Sequence, residues 1–228
     1  MSEPLSPSVG WNVLHLFCKA GPGFDAQAVL GAVKEAATAD HQVVSFAVLG
    51  HKADVGFLAI GPDVWHLRSF QAALQRAGLV VASSYVSLTE VSEYAAGMPE
   101  EMLRTRLYPV LPPEGKRAIC FYPMSKRRGV PGGGENWFTL PFDDRKELMY
   151  EHGASGRKFS GRILQLVTGS TGLDDYEWGV TLFGVHPDDI KATVYTMRYD
   201  RASAIYADFG PFFFGVIGSA DEVVASLA

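Results

Sequence analysis

The sequence predicts an α+β fold in which duplicated ferredoxin-like units form a dimeric α+β barrel within one chain. Its 228 residues are enough for two such units. Apolar runs and amphipathic stripes follow the order β-α-β-β-α-β twice, at a spacing of about 100 residues, which is typical of an internal duplication. A content of 47% hydrophobic and 20% charged residues is ordinary for a globular protein and excludes wholesale disorder.

The first unit is expected to cover residues 1–92. Short apolar runs bounded by turn residues predict strands at 11–18, 43–49, 55–60 and 79–88. Asp25 can cap a helix that ends near residue 37, and Pro62 or Asp63 opens a second helix that ends near residue 77. The second and third strands form a hairpin through residues 50–54.

A proline-rich connector is expected at residues 93–116, with one short helical piece. The second unit, residues 117–228, repeats the order, with strands at 117–122, 163–167, 177–183 and 208–217 and helices at 142–159 and 187–197. A glycine-rich loop at 129–134 follows its first strand. Each sheet would have one face under its own helices, so the two open faces can pack into one barrel-like core.

The charge of the chain is unevenly distributed. In total, 20 Lys and Arg stand against 25 Asp and Glu, and this acidic balance argues against a general nucleic-acid binder. Between Arg104 and Arg162, however, 12 Lys and Arg stand against 6 Asp and Glu. A basic centre in an acidic chain indicates a site for a compact anion.

The two cysteines, Cys18 and Cys120, lie within apolar runs and are expected to be buried, reduced thiols. No Cys/His cluster has the spacing of a zinc site. We expect no signal peptide, because no basic region is followed by an apolar stretch, and no membrane span, because no apolar run approaches 18 residues. The cytoplasm is therefore the expected compartment.

His152 differs from the other histidines. It shares a predicted helix face with Leu148 and Met149, which should point to the sheet. A buried imidazole needs a partner, so His152 is either a hydrogen-bonded core residue or an axial ligand of a metal in an apolar pocket. A porphyrin iron needs only one protein ligand. Surface or hydrogen-bonded imidazoles are expected at His15, His41, His51, His66 and His186.

A second unusual feature is the segment FYPMSKRR at residues 121–128, which follows a buried strand and carries three cations. It is either a solvated turn or an anion cradle with the phenol of Tyr122 beside it. The segment Asn136-Trp137-Phe138 places aromatic rings across the glycine-rich loop. Aromatic walls with cations at their rim suit a flat, apolar polyanion, such as a porphyrin with carboxylate arms.

These segments together resemble the chlorite dismutase-like superfamily and, more narrowly, the coproheme decarboxylases (haem synthases) of Gram-positive and related bacteria. The resemblance is densest between residues 104 and 215, and it is specific only when the motifs are combined. The matching motifs are YPMSKRR at 122–128, NW at 136–137, EHG at 151–153, GR at 156–157, Gln165, DDYEWG at 174–179, MRYD at 197–200 and, in the first half, GW at 10–11 and GHKAD at 50–54.

The resemblance implies a haem-binding second unit, assembly as a homopentamer and transient contact with ferrochelatase. It implies that His152 is the proximal iron ligand, Tyr122 the catalytic tyrosine and Lys126 its assisting lysine. Other family positions that bind the porphyrin or its propionates match Arg106, Met124, Trp137, Arg157, Gln165, Arg198 and Ser203. The chain departs from its relatives at Phe138, where tyrosine is usual, at Tyr176, where tryptophan is frequent, and in a longer loop through residues 131–134.

The reaction implied by the resemblance converts iron coproporphyrin III (coproheme) to haem b. Hydrogen peroxide is the oxidant, and two propionates become vinyl groups with loss of carbon dioxide. Gln165 stands where true chlorite dismutases carry arginine, which disfavours chlorite dismutation. Two alternatives stay open: a non-catalytic haem carrier or sensor, which would not need Tyr122 and Lys126, and a barrel without haem in which His152 is a core residue.

Overall fold

The computed structural model describes residues 3–95, 97–129 and 133–227. The first half follows the predicted order, with strands and helices at β1 (Asn12–Ala20), α1 (Ala26–Ala36), β2 (Gln42–Val48), β3 (Val55–Gly61), α2 (Val64–Arg76) and β4 (Leu79–Thr89). Asp25 and Asp63 cap the two helices, because their side chains accept hydrogen bonds from the backbone N–H groups of Ala28 and Trp65. The connector contains a 3-10 turn at Glu93–Ala95 and α3 (Glu100–Leu107).

The second half repeats this order with additions. Its elements are β5 (Ala118–Lys126), α4 (Phe142–Arg157), β6 (Ile163–Gly169), β7 (Trp178–Gly184), α5 (Pro187–Met197), α6 (Arg201–Ala204), β8 (Ala207–Phe209), β9 (Phe213–Ile217) and α7 (Ala220–Ala225). Helices α6 and α7 were not predicted, because four to six residues are too few to show a helical period. Residues 130–132 of the expected glycine-rich loop lie outside the described residues.

Two strand predictions in this half were wrong in extent. The first strand continues past Tyr122 because Met124, Ser125 and Lys126 pair with β8. The predicted strand at 208–217 is two strands, β8 and β9, separated by residues 210–212. Pro211 in that gap has no N–H to donate to a sheet ladder, which favours a break there.

Among the described residues, eight strands close into an antiparallel barrel. The first half contributes the order β2-β3-β1-β4, the second half contributes β9-β5-β7-β6, and β8 extends the sheet beyond β5. The halves join at both seams, through β2–β9 and β4–β6. The duplicated ferredoxin-like fold is thus confirmed, but hydrogen bonds join the two predicted sheets into one barrel. Its interior is aromatic, with fully or almost fully buried side chains at Phe17, Phe46, Phe121, Phe183 and Phe213.

Helices cover the outer face of the barrel unequally. Helices α1, α2 and α7 cover the first half with a continuous apolar core. In the second half, α5 packs on β5 and β7, whereas α4 packs mainly against α5 and α6. The second half therefore has a helix that stands apart from the sheet it was expected to cover.

Buried polar groups refine the expectations from sequence. Both cysteines are buried free thiols, as predicted, and burial raises the pKa of each to about 12. His15 is fully buried inside the barrel: its Nε2 bonds to Thr181 Oγ1 at 2.9 Å, but its Nδ1 has no partner among the described residues. The expectation of a surface or hydrogen-bonded imidazole is therefore met at Nε2 of His15 but not at Nδ1. Within the described ranges, none of the helices has the length and apolar character needed to cross a membrane.

Candidate functional site

Three strands of the second half align candidate residues on the face of the sheet that points toward the helices. Tyr122 of β5 pairs with Val180 of β7, which pairs with Val167 of β6. Side chains two residues apart on a strand share a face, so Met124 lies on the face of Tyr122 and Gln165 on that of Val167. The sequence-predicted positions on β5 and β6 therefore share one surface.

Part of this surface is open. Val167 is 38% exposed and Gln165 is also exposed, although both lie on the helix-facing side of the sheet. Helix α4, which could cover these two residues, packs instead mainly against α5 and α6. The arrangement leaves room for a ligand between α4 and the sheet.

His152 lies on α4 with one ring nitrogen held by a carboxylate. Its Nδ1 is 3.2 Å from Oδ2 of Asp200 and 3.4 Å from the hydroxyl of Ser203. Asp200 is buried and also accepts a 2.6 Å hydrogen bond from the Ser155 hydroxyl. An Nδ1–H that donates to this carboxylate leaves the lone pair on Nε2, which has no hydrogen-bond partner within the described residues.

The electrostatic surroundings of His152 favour a neutral imidazole. Burial lowers its pKa, the positive charge of Lys126 lowers it further, and Asp200 opposes both effects. A histidine binds a metal through its neutral form. His152 is therefore a neutral imidazole, with Nδ1 directed at Asp200 and Nε2 left to bind a metal.

Lys126 lies at the end of β5 and is buried. Its Nζ donates a 2.8 Å hydrogen bond to the Ala202 carbonyl and lies 4.1 Å from the centroid of the Trp137 ring. Burial lowers its pKa to about 8, against an opposing effect of Glu177. An ammonium held in this way is poorly solvated, and it has a strong attraction for an anionic ligand group.

Trp137 forms an aromatic wall beside this lysine. It is buried, packs with Leu148 and Ala202, and meets Tyr206 edge-on with ring centroids 5.5 Å apart. Phe138 is not part of this wall: it is 42% exposed and lies under the guanidinium of Arg128. Of the aromatic pair expected here from sequence, the structure places only Trp137 beside Lys126.

Tyr122 is almost fully buried among aromatic rings. Phe212 stacks on it with ring centroids 4.5 Å apart, and Phe209 meets it edge-on at 5.6 Å. Burial raises the pKa of Tyr122 well above the usual value for tyrosine. The phenol therefore stays protonated at every pH at which the protein is expected to work.

The segment at residues 121–128 is either a solvated turn or an anion cradle, and of its three cations only Lys126 is buried. Arg127 forms an ion pair with Asp208 at 2.6 Å, and Arg128 lies 3.4 Å from Glu177. Asp208 offsets part of the Arg127 charge, whereas the Arg128 side chain is 75% exposed and its contact with Glu177 is weak. Both arginines thus have a carboxylate partner on a neighbouring segment.

The remaining candidates are three arginines that contact tyrosine rings or solvent. Arg157 ends α4 beneath Tyr150, Arg198 follows α5 with its guanidinium 4.0 Å from the Tyr195 ring centroid, and Arg106 is exposed on α3. Within the described residues, none of these three arginines bonds to His152 or its neighbours. The hydroxyl of Ser203 lies 3.4 Å from Nδ1 of His152, and its expected place in the propionate pocket stays a prediction.

Sequence reasoning did not identify Asp200 as the partner of His152. The only indication in the sequence was the motif MRYD at residues 197–200, whose last residue, Asp200, carries this carboxylate. Nothing in the spacing of 48 residues between the two positions indicates the contact. The turn into α6 brings Asp200, Ala202 and Ser203 to the site together.

The residues present fit a porphyrin iron. A single neutral histidine with a free Nε2, an adjacent aromatic wall and a desolvated ammonium match the needs of a flat metal complex with anionic arms. Among described residues, no three His, Cys, Asp or Glu side chains group together as a metal site. Nε2 of His152 has no hydrogen-bond partner among the described residues, and the side chain is 24% exposed, so this nitrogen is accessible to a ligand, as the iron-ligand interpretation requires.

Comparison with known proteins shows which proteins this chain is similar to. The family model described as chlorite dismutase matches residues 25–218. The coproheme decarboxylase of Staphylococcus carnosus is 39% identical over 94% of this chain and 94% of that enzyme, and the coproheme decarboxylase of Staphylococcus saprophyticus is 41% identical over 78% and 74%. The solved structure of a haem-binding protein from Thermus thermophilus superposes with a TM-score of 0.86 and 34% identity over 100% of this chain and 99% of its own.

Proposed function

Because the chain belongs to the chlorite dismutase family, we propose that it is a coproheme decarboxylase, which converts iron coproporphyrin III to haem b with hydrogen peroxide as oxidant. The observation that carries this proposal is the grouping of His152, Lys126 and Trp137, with Tyr122 on the same strand face as Lys126. The names of the two staphylococcal relatives support it further.

The proposed reaction balances with one peroxide for each propionate. Each propionic side chain loses one hydrogen from its β-carbon and its carboxyl group as carbon dioxide, which leaves a vinyl group. The peroxide is reduced to two molecules of water. The porphyrin iron, when bound, supplies the oxidising chemistry, and the protein provides position and electrostatics.

Tyr122 would be the residue that takes hydrogen from the propionate. Its buried phenol keeps its proton, so it can give up an electron and a proton together and then recover a hydrogen from the β-carbon. The surrounding phenylalanines exclude water from the ring. His152 would hold the iron through Nε2 while Asp200 fixes the ring.

Lys126 would bind a carboxylate arm of the substrate. Its contact with the Ala202 carbonyl uses one of the three ammonium protons and leaves two for a ligand. An exposed Gln165 and a half-buried Met124 lie on the open sheet face and would contact the macrocycle. Arg106, Arg157 and Arg198 stay proposals for the other carboxylates, together with Ser203.

The assembly and location follow from the family alone. We propose a homopentamer, transient contact with ferrochelatase and a cytoplasmic location on that basis. The division into units at 1–92 and 117–228, with a connector at 93–116, is a proposal that rests on the repeated order of strands and helices.

Replacing Tyr122 with phenylalanine tests the function. The Tyr122→Phe variant should bind coproheme with the Soret change of the wild type, because the hydroxyl makes no bond to the described residues. On stepwise addition of peroxide, mass spectrometry should show two lost carboxyl groups in the wild type and none in the variant. The matched control is Tyr150→Phe, at a tyrosine that is 73% exposed on α4.

A wild type that binds coproheme but keeps all four carboxyl groups would indicate a carrier or sensor. Normal turnover in Tyr122→Phe would show that another residue takes the hydrogen. Absence of any Soret change with coproheme or haem would point to a barrel in which His152 is only structural.

A further inference from the structure

The ring of Tyr122 is held by aromatic packing rather than by a hydrogen bond. In the described part of the chain, nothing bonds to its phenol oxygen. Phe212 lies over the ring at 4.5 Å with an angle of 24° between the planes, and Phe209 closes one edge. Because the hydroxyl is not tethered, these two phenylalanines determine the direction in which the phenol points.

Phe209 is the last residue of β8, and Phe212 is the last residue of the connection between β8 and β9, residues 210–212. At one end, the N–H of Gly210 donates to the Pro123 carbonyl at 2.8 Å. A Cβ at Gly210 would lie 2.6 Å from Cγ of Pro123, so only glycine allows this approach. At the other end, Nζ of Lys52 donates to the Phe212 carbonyl at 2.6 Å. A hydrogen bond therefore fixes the connection at each of its two ends.

Lys52 reaches this connection from the first half of the chain. It lies in the loop between β2 and β3, which is anchored on β1. Ala53 is fully buried, the Asp54 N–H donates to the Cys18 carbonyl at 2.8 Å, and the Asp54 carboxylate accepts from the Ala20 N–H at 3.0 Å. The loop thus presents the lysine from a fixed base.

We propose that Lys52 is a positioning residue for Tyr122. Its ammonium holds the carbonyl of Phe212, and the Phe212 ring then holds the phenol in the orientation needed for hydrogen transfer; this purpose rests on the proposed function. The ammonium also lies 5.6 Å from the Phe213 ring centroid, a cation–π contact that restricts its movement. The first half of the chain thereby takes part in a reaction whose proposed iron ligand and hydrogen-abstracting tyrosine lie in the second half.

The contact can be removed without unfolding the barrel. Lys52 is exposed, and a single exposed hydrogen bond contributes little to global stability. The Lys52→Met variant keeps most of the stem and loses the donor. Lys52→Arg keeps a charged donor and should rescue the contact, whereas Phe212→Leu removes the stacked ring itself. Lys34→Met, at an exposed lysine of α1, is the matched control.

The direct readout is the position of the Tyr122 ring in the ligand-free protein. With 13C-labelled tyrosine, stacking on Phe212 should shift the Tyr122 ring proton signals upfield, and Tyr122→Phe assigns them by their loss. Lys52→Met and Phe212→Leu should move these signals downfield. Lys52→Arg and Lys34→Met should leave them in place.

The catalytic readout uses coproheme and peroxide. Lys52→Met should lower the rate of decarboxylation at saturating coproheme by about tenfold or more, because small misplacements of a reacting group are costly. The dissociation constant for coproheme should not change, since Lys52 does not touch the open face. Lys52→Arg should recover the rate.

Unmoved Tyr122 signals in Lys52→Met would overturn the proposal, and so would moved signals with an unchanged rate. A failure of the proposed function appears differently. In that case, the wild type itself releases no carbon dioxide from coproheme, while the Tyr122 signals still report whether Lys52 and Phe212 hold the ring.

Discussion

At the scale of single residues, pairing decides which charges can serve the site. The basic excess between residues 104 and 162 does not form one open patch. Arg145 pairs with Glu93 at 3.7 Å, and Arg162 pairs with the buried Asp189. Lys126 donates its side-chain hydrogen bond to a backbone carbonyl; Glu177 acts on it electrostatically, but none of the described carboxylates forms a salt bridge with it. Its burial therefore keeps a cation without a salt-bridge partner next to the site.

This environment predicts a pH dependence that Lys126→Arg should remove. Burial lowers the Lys126 pKa to about 8, so the charge that attracts the substrate is present below this pH and is lost as the pH rises through it. Wild-type kcat/KM, which reports the free enzyme, should fall above about pH 8. Arginine stays charged, so kcat/KM of Lys126→Arg should stay level across the same range.

Initial rates of carbon dioxide release between pH 6 and pH 10, an experimental range chosen around a pKa of about 8, check this prediction. Lys126→Met is the control and should have low kcat/KM at every pH. If kcat/KM falls at the same alkaline pH in the wild type and in Lys126→Arg, another group causes the decline.

At the scale of elements, close approach between neighbouring segments depends on small residues in the strands. Gly61 ends β3, and a Cβ there would overlap the ring of His41. His41 in turn stacks on His66 of α2 with ring centroids 4.0 Å apart. The absence of a side chain at Gly61 therefore allows three segments to pack together: the end of β3, the segment before β2 and the start of α2.

Two glycine-to-alanine changes in the first half should have opposite effects. Gly61→Ala should lower the free energy of unfolding by about 1–3 kcal/mol, because the added methyl displaces the His41 ring. Gly31→Ala on α1 meets nothing within 4 Å and should raise it by up to about 1 kcal/mol through helix propensity. Denaturant unfolding of both variants measures the difference, and equal shifts would contradict the packing described here.

At the scale of the whole molecule, closure of the barrel isolates His15 from water. Strand seams on both sides seal an interior of aromatic rings, and His15 packs on Phe121 with ring centroids 4.2 Å apart. Burial lowers the pKa of His15 to about 3. A proton can therefore bind readily to this imidazole only when the barrel opens.

The stability of the barrel should consequently fall in acid. The unfolded chain binds a proton at His15 near the ordinary pKa of 6.5, whereas the folded chain does so only near 3. Above pH 6.5, His15 is neutral in both states and does not reduce the free energy of unfolding. Between pH 6.5 and about pH 3, protonation of the unfolded chain lowers the free energy of unfolding, with a slope approaching about 1.4 kcal/mol per pH unit.

The His15→Phe variant should remove that part of the slope. It keeps an aromatic ring against Phe121 and cannot be protonated, although it leaves the Thr181 hydroxyl without its partner. Denaturant unfolding at several pH values checks the slope, with His186→Phe at an exposed histidine as control. Equal slopes in the wild type and His15→Phe would mean that His15 accepts a proton in the folded barrel.

The sequence alone predicted the order of the strands and helices and several residues of the candidate site. The repeated β-α-β-β-α-β order, the caps Asp25 and Asp63, and the start of α5 at Pro187 come from local periodicity and local hydrogen bonding. The family motifs also brought out Tyr122, Lys126 and His152. These features depend on residues that are near one another in the chain, and periodicity and motif spacing describe such neighbours.

The tertiary structure alone decided how the sheets close, which cations are neutralised, and what holds the reactive side chains. Asp200 meets His152 across 48 positions, and Lys52 meets Phe212 across 160. Contacts at such separations depend on strand register and barrel closure, which no local pattern encodes. The physical reason is that short-range preferences build the elements, whereas the environment of each side chain is set by whatever the closed barrel brings beside it.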